Sequence, residues 1–282
     1  VKCVNEECFQ DNSDYYAAFH SMLERSPRSK RRKIREDVVS SVLQAHVYKD
    51  PGVVLSFSDL PTSHAAVRYL EKDRLFSCEK LSRRFGVGYC KSSSFRLAAG
   101  RILIPVFRDK KPYGWQARFV GSAKEVDELG VPKSYSMPGS WRASSLYNLD
   151  QATRNFAKTN VIVVCEGPPD VWRTGPSSVA LFGNKATHWQ LQTLIERFSS
   201  GLIVCLLDPS PSKQAKRGKA EHHSDVFVRQ LQAKGAERVV DVRLKSMLDP
   251  GDSTVEDVWR QIIQTSRRAG FSVSAKEGLT WY

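Results

Sequence analysis

The chain has 282 residues, 43 Lys plus Arg against 30 Asp plus Glu, and a formal net charge of +13. With 41% hydrophobic and 10% aromatic residues it can bury the cores of two modest domains, which excludes a wholly disordered chain. No apolar run approaches the ~18 residues that a membrane span needs, and the opening VKCVNEEC lacks the apolar stretch of a signal peptide.

The chain starts at Val1 rather than Met and reads as a piece of something longer. Cys3, Cys8, Cys78, Cys90, Cys165 and Cys205 are too sparse for a disulfide scaffold and read as reduced thiols of an intracellular protein. The positive excess points to a polyanionic partner, nucleic acid first, because summed positive potential attracts polyanions and speeds encounter. Residues 26–36 concentrate Arg28, Lys30, Arg31, Arg32, Lys33 and Arg35. That stretch reads as a solvated basic linker, setting residues 1–36 apart from the rest of the chain.

In 37–155 the pattern is mixed. Helical apolar spacing marks 64–72 and 78–85, while 101–107 and 113–120 read as strands, with Gly and Pro between them. This is an α+β subdomain. From 156 to 262 short apolar runs alternate with helical segments: 161–165, a helix near 169–174, the run SVALFG, a helix from Thr187, the run LIVCLLD, a helix after His222 and the run RVVDVRL. Continuous apolar strands alternating with helices predict a doubly wound parallel sheet. The spacing of 255–268 is helical and closes the sheet, leaving 263–282 as its end and tail.

Ligands of such sheets bind beyond the carboxyl ends of the strands. Acids stand there repeatedly: Glu166 after the first run, Asp208 after the third, and Asp249 and Asp252 in the loop 244–253. One acid alone reads equally as a cap for the next helix. Several together cost Coulomb repulsion unless a proton or cation compensates, and an all-oxygen set favours Mg²⁺ or Mn²⁺ over zinc. Asp170, within EGPPD, reads as a local cap or turn residue.

The order VIVVCEGPPDVWRTG, VALFGNKAT, LIVCLLDPS and VRLKSMLDPGD resembles the TOPRIM domain of bacterial and phage (DnaG-like) DNA primases. Upstream, 70–89, 101–118 and 132–150 are similar to the N-terminal part of the same catalytic core, so the likeness covers about residues 55 to 260. It implies an α/β fold, an α+β subdomain followed by TOPRIM, and an enzyme that makes short RNA primers on single-stranded DNA from ribonucleoside triphosphates. It also implies that Glu166 and Asp208 are catalytic, that they hold Mg²⁺ or Mn²⁺ with Asp249 and Asp252, and that a replicative helicase is a candidate partner in a bacterial or phage-infected cytoplasm or an organelle. Ser210 stands where the family has a second Asp of a pair, so it replaces an anionic metal ligand by a neutral one.

By the same resemblance Arg101, Arg118, Lys133, Tyr135 and Arg142 belong to a template groove, where cations beside Trp115, Tyr135 and Trp141 suit single strands through phosphate neutralisation and stacking. For Trp115 and Trp141 a core position is an equal reading. Lys213, Lys216, Arg217 and Lys219 follow Asp208 in a loop that either touches phosphate or is merely solvated. Cys3 and Cys8 resemble half of a zinc ribbon, but structural zinc needs four ligands and His20 reads as a surface residue. Zinc is therefore expected only if a missing ligand pair is restored. His222 and His223 have no partner spacing, and no Walker-type loop is present. The rival readings are a catalytically degenerate single-strand-binding module, as in primase-like domains of the Twinkle helicase type, and a TOPRIM nuclease or topoisomerase.

Overall fold

A strand whose every residue is apolar has to be covered on both faces, and VIVVC meets that demand. In the computed structural model, which describes residues 47–208, 222–244 and 249–274, Val161, Val163 and Cys165 point into one core, while Ile162 and Val164 point into another. Leu202, Val204 and Leu206 alternate with Ile203, Cys205 and Leu207 in the same way. The parallel sheet is thus the shared wall of two apolar cores.

Its strands are β6 (Val161–Cys165), β7 (Ser178–Ala180), β8 (Leu202–Leu206) and β9 (Val239–Asp241), in the order β7-β6-β8-β9 and all parallel. The second core is closed by helices α3 (Leu149–Thr159), α5 (His188–Phe198) and α6 (His223–Ala233), through Phe156, Leu194, Phe198, Phe227 and Leu231. The first is closed by α4 (Pro168–Thr174), by α7 (Val255–Arg268) through Val258, Trp259 and Ile262, and by the antiparallel subdomain.

That subdomain is a five-stranded antiparallel sheet, β1 (Val53–Leu55), β2 (Gly88–Ser92), β3 (Arg101–Arg108), β4 (Lys111–Arg118) and β5 (Ser134–Ser136), paired in chain order. Helix α1 (Cys78–Phe85) packs on it, started by Ser77, whose hydroxyl accepts the Lys80 N–H, and ended by Gly86 at φ 68°. The expected helix at 64–72 is a short α-turn, Ala65–Arg68, running into a π-turn, Tyr69–Asp73. Helix α2 (Ala123–Leu129) buries no side chain and stands on a capping box between Ser122 and Glu125.

Strands β3 and β4 join through Asp109 and Lys110, both with positive φ (52° and 63°), the conformation of a two-residue hairpin. The Asp150 carboxylate at the start of α3 accepts both of their N–H groups. Gly114 on β4 lets the hairpin lie flat on Trp141, since a Cβ there would come within 2.5 Å of the indole.

Cys78, Cys90, Cys165 and Cys205 are buried thiols without disulfides, as expected. No helix among the described residues is long and apolar enough to cross a membrane. Cys3, Cys8, His20 and the basic stretch 26–36 lie outside the described residues, as do Ser210, Lys213, Lys216, Arg217 and Lys219.

Candidate active site

From β6 the chain pairs on one side as β7, then crosses to pair on the other side as β8. The carboxyl ends of β6 and β8 therefore flank a switch point, where α/β sheets open a crevice. Glu166 follows β6 directly and Asp208 stands just beyond β8. The two ends are tied, because the Asp208 N–H donates to Glu166 Oε1 at 3.1 Å.

The loop after β9 brings in Asp249, whose Oδ1 accepts the Gly251 N–H at 2.8 Å and caps the 3₁₀ turn Pro250–Asp252. Asp170 lies between these elements and is 3% exposed. Its Oδ2 accepts the Gly167 N–H at 2.8 Å, the local cap expected of it. Its Oδ1 reaches across to the Gly251 N–H at 3.1 Å. One carboxylate oxygen from each of Asp170, Asp208 and Asp249 lies within 4.8 Å of the others.

Asp208 Oδ1 is buried with no hydrogen-bond partner among the described residues. Buried acceptors are almost always satisfied, and an orphaned carboxylate oxygen beside two further acids fits a hard, oxygen-seeking cation. Asp208 and Asp249, bordered by Asp170 and Glu166, are the residues that could hold one.

Acids crowded in a half-buried crevice do not all ionise. Burial first, then the charges of Asp208 and Asp249, push Glu166 up to about 7, against the pull of the Asp208 N–H. Burial first, then Asp249, push Asp208 up to about 6, with Lys133 pulling the other way. Burial first, then the charge of the adjacent Asp249, push Asp170 well above its ordinary value. Burial also raises Asp249, but the Asp170 carboxyl, the Gly251 N–H, Arg74 and Lys133 outweigh it and hold Asp249 below its ordinary value.

These directions make a pH prediction. Both raised carboxyls bind protons more tightly folded than unfolded, so the metal-free fold loses stability as pH rises from about 4 to about 7. Cation binding displaces those protons, so Mn²⁺ affinity rises up to about tenfold per pH unit per displaced proton and levels off above the Glu166 value of about 7. Calorimetric Mn²⁺ titrations across that window check it; an affinity flat with pH contradicts the assignment.

No protein-family model matches the chain, and none of the curated proteins compared is similar to it in sequence. Solved structures are similar. A DnaG primase catalytic domain bound to ssDNA shares 17% identity over 75% of this chain and 76% of its own, with a TM-score of 0.55. The RNA polymerase domain of Mycobacterium tuberculosis DnaG primase shares 19% over 86% and 87%, with a TM-score of 0.53. The E. coli primase catalytic core shares 20% over 73% and 74%, with a TM-score of 0.52. This chain has the fold of a DnaG-type primase catalytic core.

Within the primase fold the antiparallel subdomain sets Lys133 opposite the acids. It is exposed just before β5, and its charge lowers the pKa of both Asp208 and Asp249. Tyr135 follows on β5, half-buried, its ring centroid 5.9 Å from that of Trp115. Arg142 is exposed in the 3₁₀ turn Trp141–Ser144, whose backbone is tied to α5 by Gln190 Nε2 donating to the Arg142 carbonyl at 3.2 Å.

Arg101 and Arg118, expected on the groove surface of the primase fold, are instead interior, 5% and 7% exposed. Arg101 donates to the Pro132 carbonyl at 2.6 Å and lies over the Phe119 ring. Arg118 Nε donates to the Tyr69 hydroxyl at 3.1 Å. A guanidinium fork satisfies buried acceptors well, which is why these arginines are interior. Trp115 and Trp141 take the core reading, donating to the carbonyls of Lys49 and Met137.

Asp252 pairs with Arg74, and its charge contributes to the raised pKa of Asp208. Sequence reasoning missed both Arg74 and the reach of Asp170 to Gly251. The only local signal was Asp170 standing three residues after Gly167, which specifies the cap but not the distant contact.

Proposed function

We propose that this chain is the catalytic core of a DNA-dependent RNA primase of the bacterial or phage type. In this reading it joins ribonucleoside triphosphates into short primers on a single-stranded DNA template. What supports the reading most is the orphaned Asp208 oxygen among three other acids at the switch point of a primase fold. A similar catalytic domain has been solved with ssDNA bound, and the +13 charge of this chain suits the same class of partner.

Asp208 and Asp249 hold Mg²⁺ or Mn²⁺, which supplies charge neutralisation for a triphosphate under in-line attack. Asp170 shares the Gly251 N–H with Asp249 and fixes the turn that carries that carboxylate. Glu166, whose carboxyl titrates near neutrality, is suited to take the proton from an attacking 3′-hydroxyl. Lys133 brings a positive charge to the crevice from the template-binding side.

The test is RNA synthesis from labelled ribonucleotides on mixed-sequence single-stranded DNA, in Mg²⁺ and separately in Mn²⁺, with DNA binding measured alongside. Metal-dependent oligoribonucleotides, lost in Glu166→Gln while DNA binding persists, are expected. Product that appears only after Ser210→Asp marks a decayed site. Silence in every variant, even from a preformed primer and with DNA still bound, identifies a single-strand-binding module of a replisome or primase-helicase. Nicked DNA in place of RNA identifies a nuclease.

A further inference from the structure

The loop that carries Asp249 is gripped by two arginines that the reaction above does not use. Arg173, on α4, is 5% exposed. Its Nη2 donates to the Gly251 carbonyl at 3.4 Å and to the Arg74 carbonyl at 2.8 Å. Its guanidinium lies 4.2 Å from the centroid of Phe76, a ring set edge-on against Trp172. Asp170, one turn earlier on α4, accepts the N–H of the same Gly251. Thus Asp170 and Arg173 hold both polar groups of Gly251, between Asp249 and Asp252.

Arg74 completes the grip from the other subdomain. Its side chain pairs with Asp252, at the far end of the same turn, while its carbonyl is held by Arg173. Its charge also lowers the pKa of Asp249. Residues 74 to 76 belong to the antiparallel subdomain, so the position of a cation ligand in the parallel-sheet half is set in part by the other half.

We propose that Arg173 and Arg74 are positioning residues that set the Asp249 carboxylate for the divalent cation, so that contact between the two subdomains governs metal affinity. The inference rests on the reading that the acids hold such a cation. One nitrogen, Nη2, serves both carbonyls, but the planar guanidinium that places it by lying against the Phe76 ring is not reproduced by an ammonium. The Arg74–Asp252 pair needs only a positive charge. The two arginines therefore differ in what restores them.

The experiment is Mn²⁺ titration of the full chain by electron paramagnetic resonance, with thermal unfolding and single-stranded DNA binding recorded on the same samples. Arg173→Lys is expected to weaken Mn²⁺ by about 10- to 100-fold, the usual cost of disturbing a group that orients a metal ligand, with DNA affinity unchanged. Arg74→Ala is expected to weaken it about tenfold, and Arg74→Lys to restore it. Arginines that serve stability alone would lower the unfolding temperature and leave Mn²⁺ affinity in place, which overturns the proposal. Should Arg173→Lys fail to fold, the Arg74 pair of variants decides by the same criterion. An unaltered chain that binds no Mn²⁺ overturns the reading of the acids, and this inference with it.

Discussion

Asp208→Asn is expected to abolish primer synthesis and at the same time to stabilise the metal-free protein. The loss follows from removing the anionic oxygen that has no partner among the described residues. It should exceed the roughly 10- to 100-fold that outer partners of metal ligands cost. The gain follows from the pKa of about 6, raised first by burial and then by Asp249. Ionising Asp208 above that value works against folding, by about 1–2 kcal/mol once the shift is discounted for partial solvent screening. Thermal unfolding near pH 8 should therefore show the Asn variant more stable without metal, the gain shrinking to nothing as pH falls below about 4, where Asp208 is protonated folded and unfolded alike. Saturating Mn²⁺ should reverse the order, because only the unaltered chain gains from the cation. An Asn variant less stable under metal-free, alkaline conditions would show that Asp208 is satisfied in a way the orphaned oxygen does not suggest.

Asp170→Ala should be the most destabilising single change at the site. It strips the acceptor from the Gly167 N–H at the start of α4 and one of two acceptors from the Gly251 N–H, which keeps Asp249 Oδ1. A donor left without a partner costs about 1–3 kcal/mol, so the loss at Gly167 alone is about 1–3 kcal/mol, a large share of a domain's stability. The variant also takes away the carboxyl that holds Asp249 below its ordinary pKa. Chemical denaturation measures the first effect, and a rise in the pH needed for Mn²⁺ binding measures the second. A variant as stable as the parent would mean that water replaces the carboxyl at the Gly167 amide.

How much of this could be read from the residues depended on range. β6 and β8 were legible because strands buried on both faces have no polar positions, and VIVVC and LIVCL have none. Helix α7 was legible because Val255, Val258, Trp259, Ile262 and Ser266 line up on one buried face. β1 and β5 escaped notice, since three residues such as Ser134–Ser136 carry no periodicity. α2 escaped because it buries nothing. Glu166, Asp208 and Asp249 were found from their places at strand ends, which is a local property. The roles of Asp170, Arg74 and Arg173 were not found, because their partners lie 78 to 99 residues away for the Gly251 and Arg74 contacts. Arg101 and Arg118 show the opposite failure. A one-dimensional pattern does not separate an arginine that meets solvent from one that solvates a buried carbonyl or hydroxyl.

The double use of the parallel sheet bears on how the protein can be handled. Because Val161, Val163, Cys165, Val204 and Leu206 pack into the same core as Phe85, Ile104 and Trp115, the two halves are not separable pieces. A fragment ending before β6 would lay open one side of that core, and a fragment beginning there would lay open the other. Exposed apolar faces of that kind drive aggregation. Shortened versions made for crystallisation or labelling should therefore keep both halves together, with Phe271 and Val273 beyond α7, which pack into or against that core.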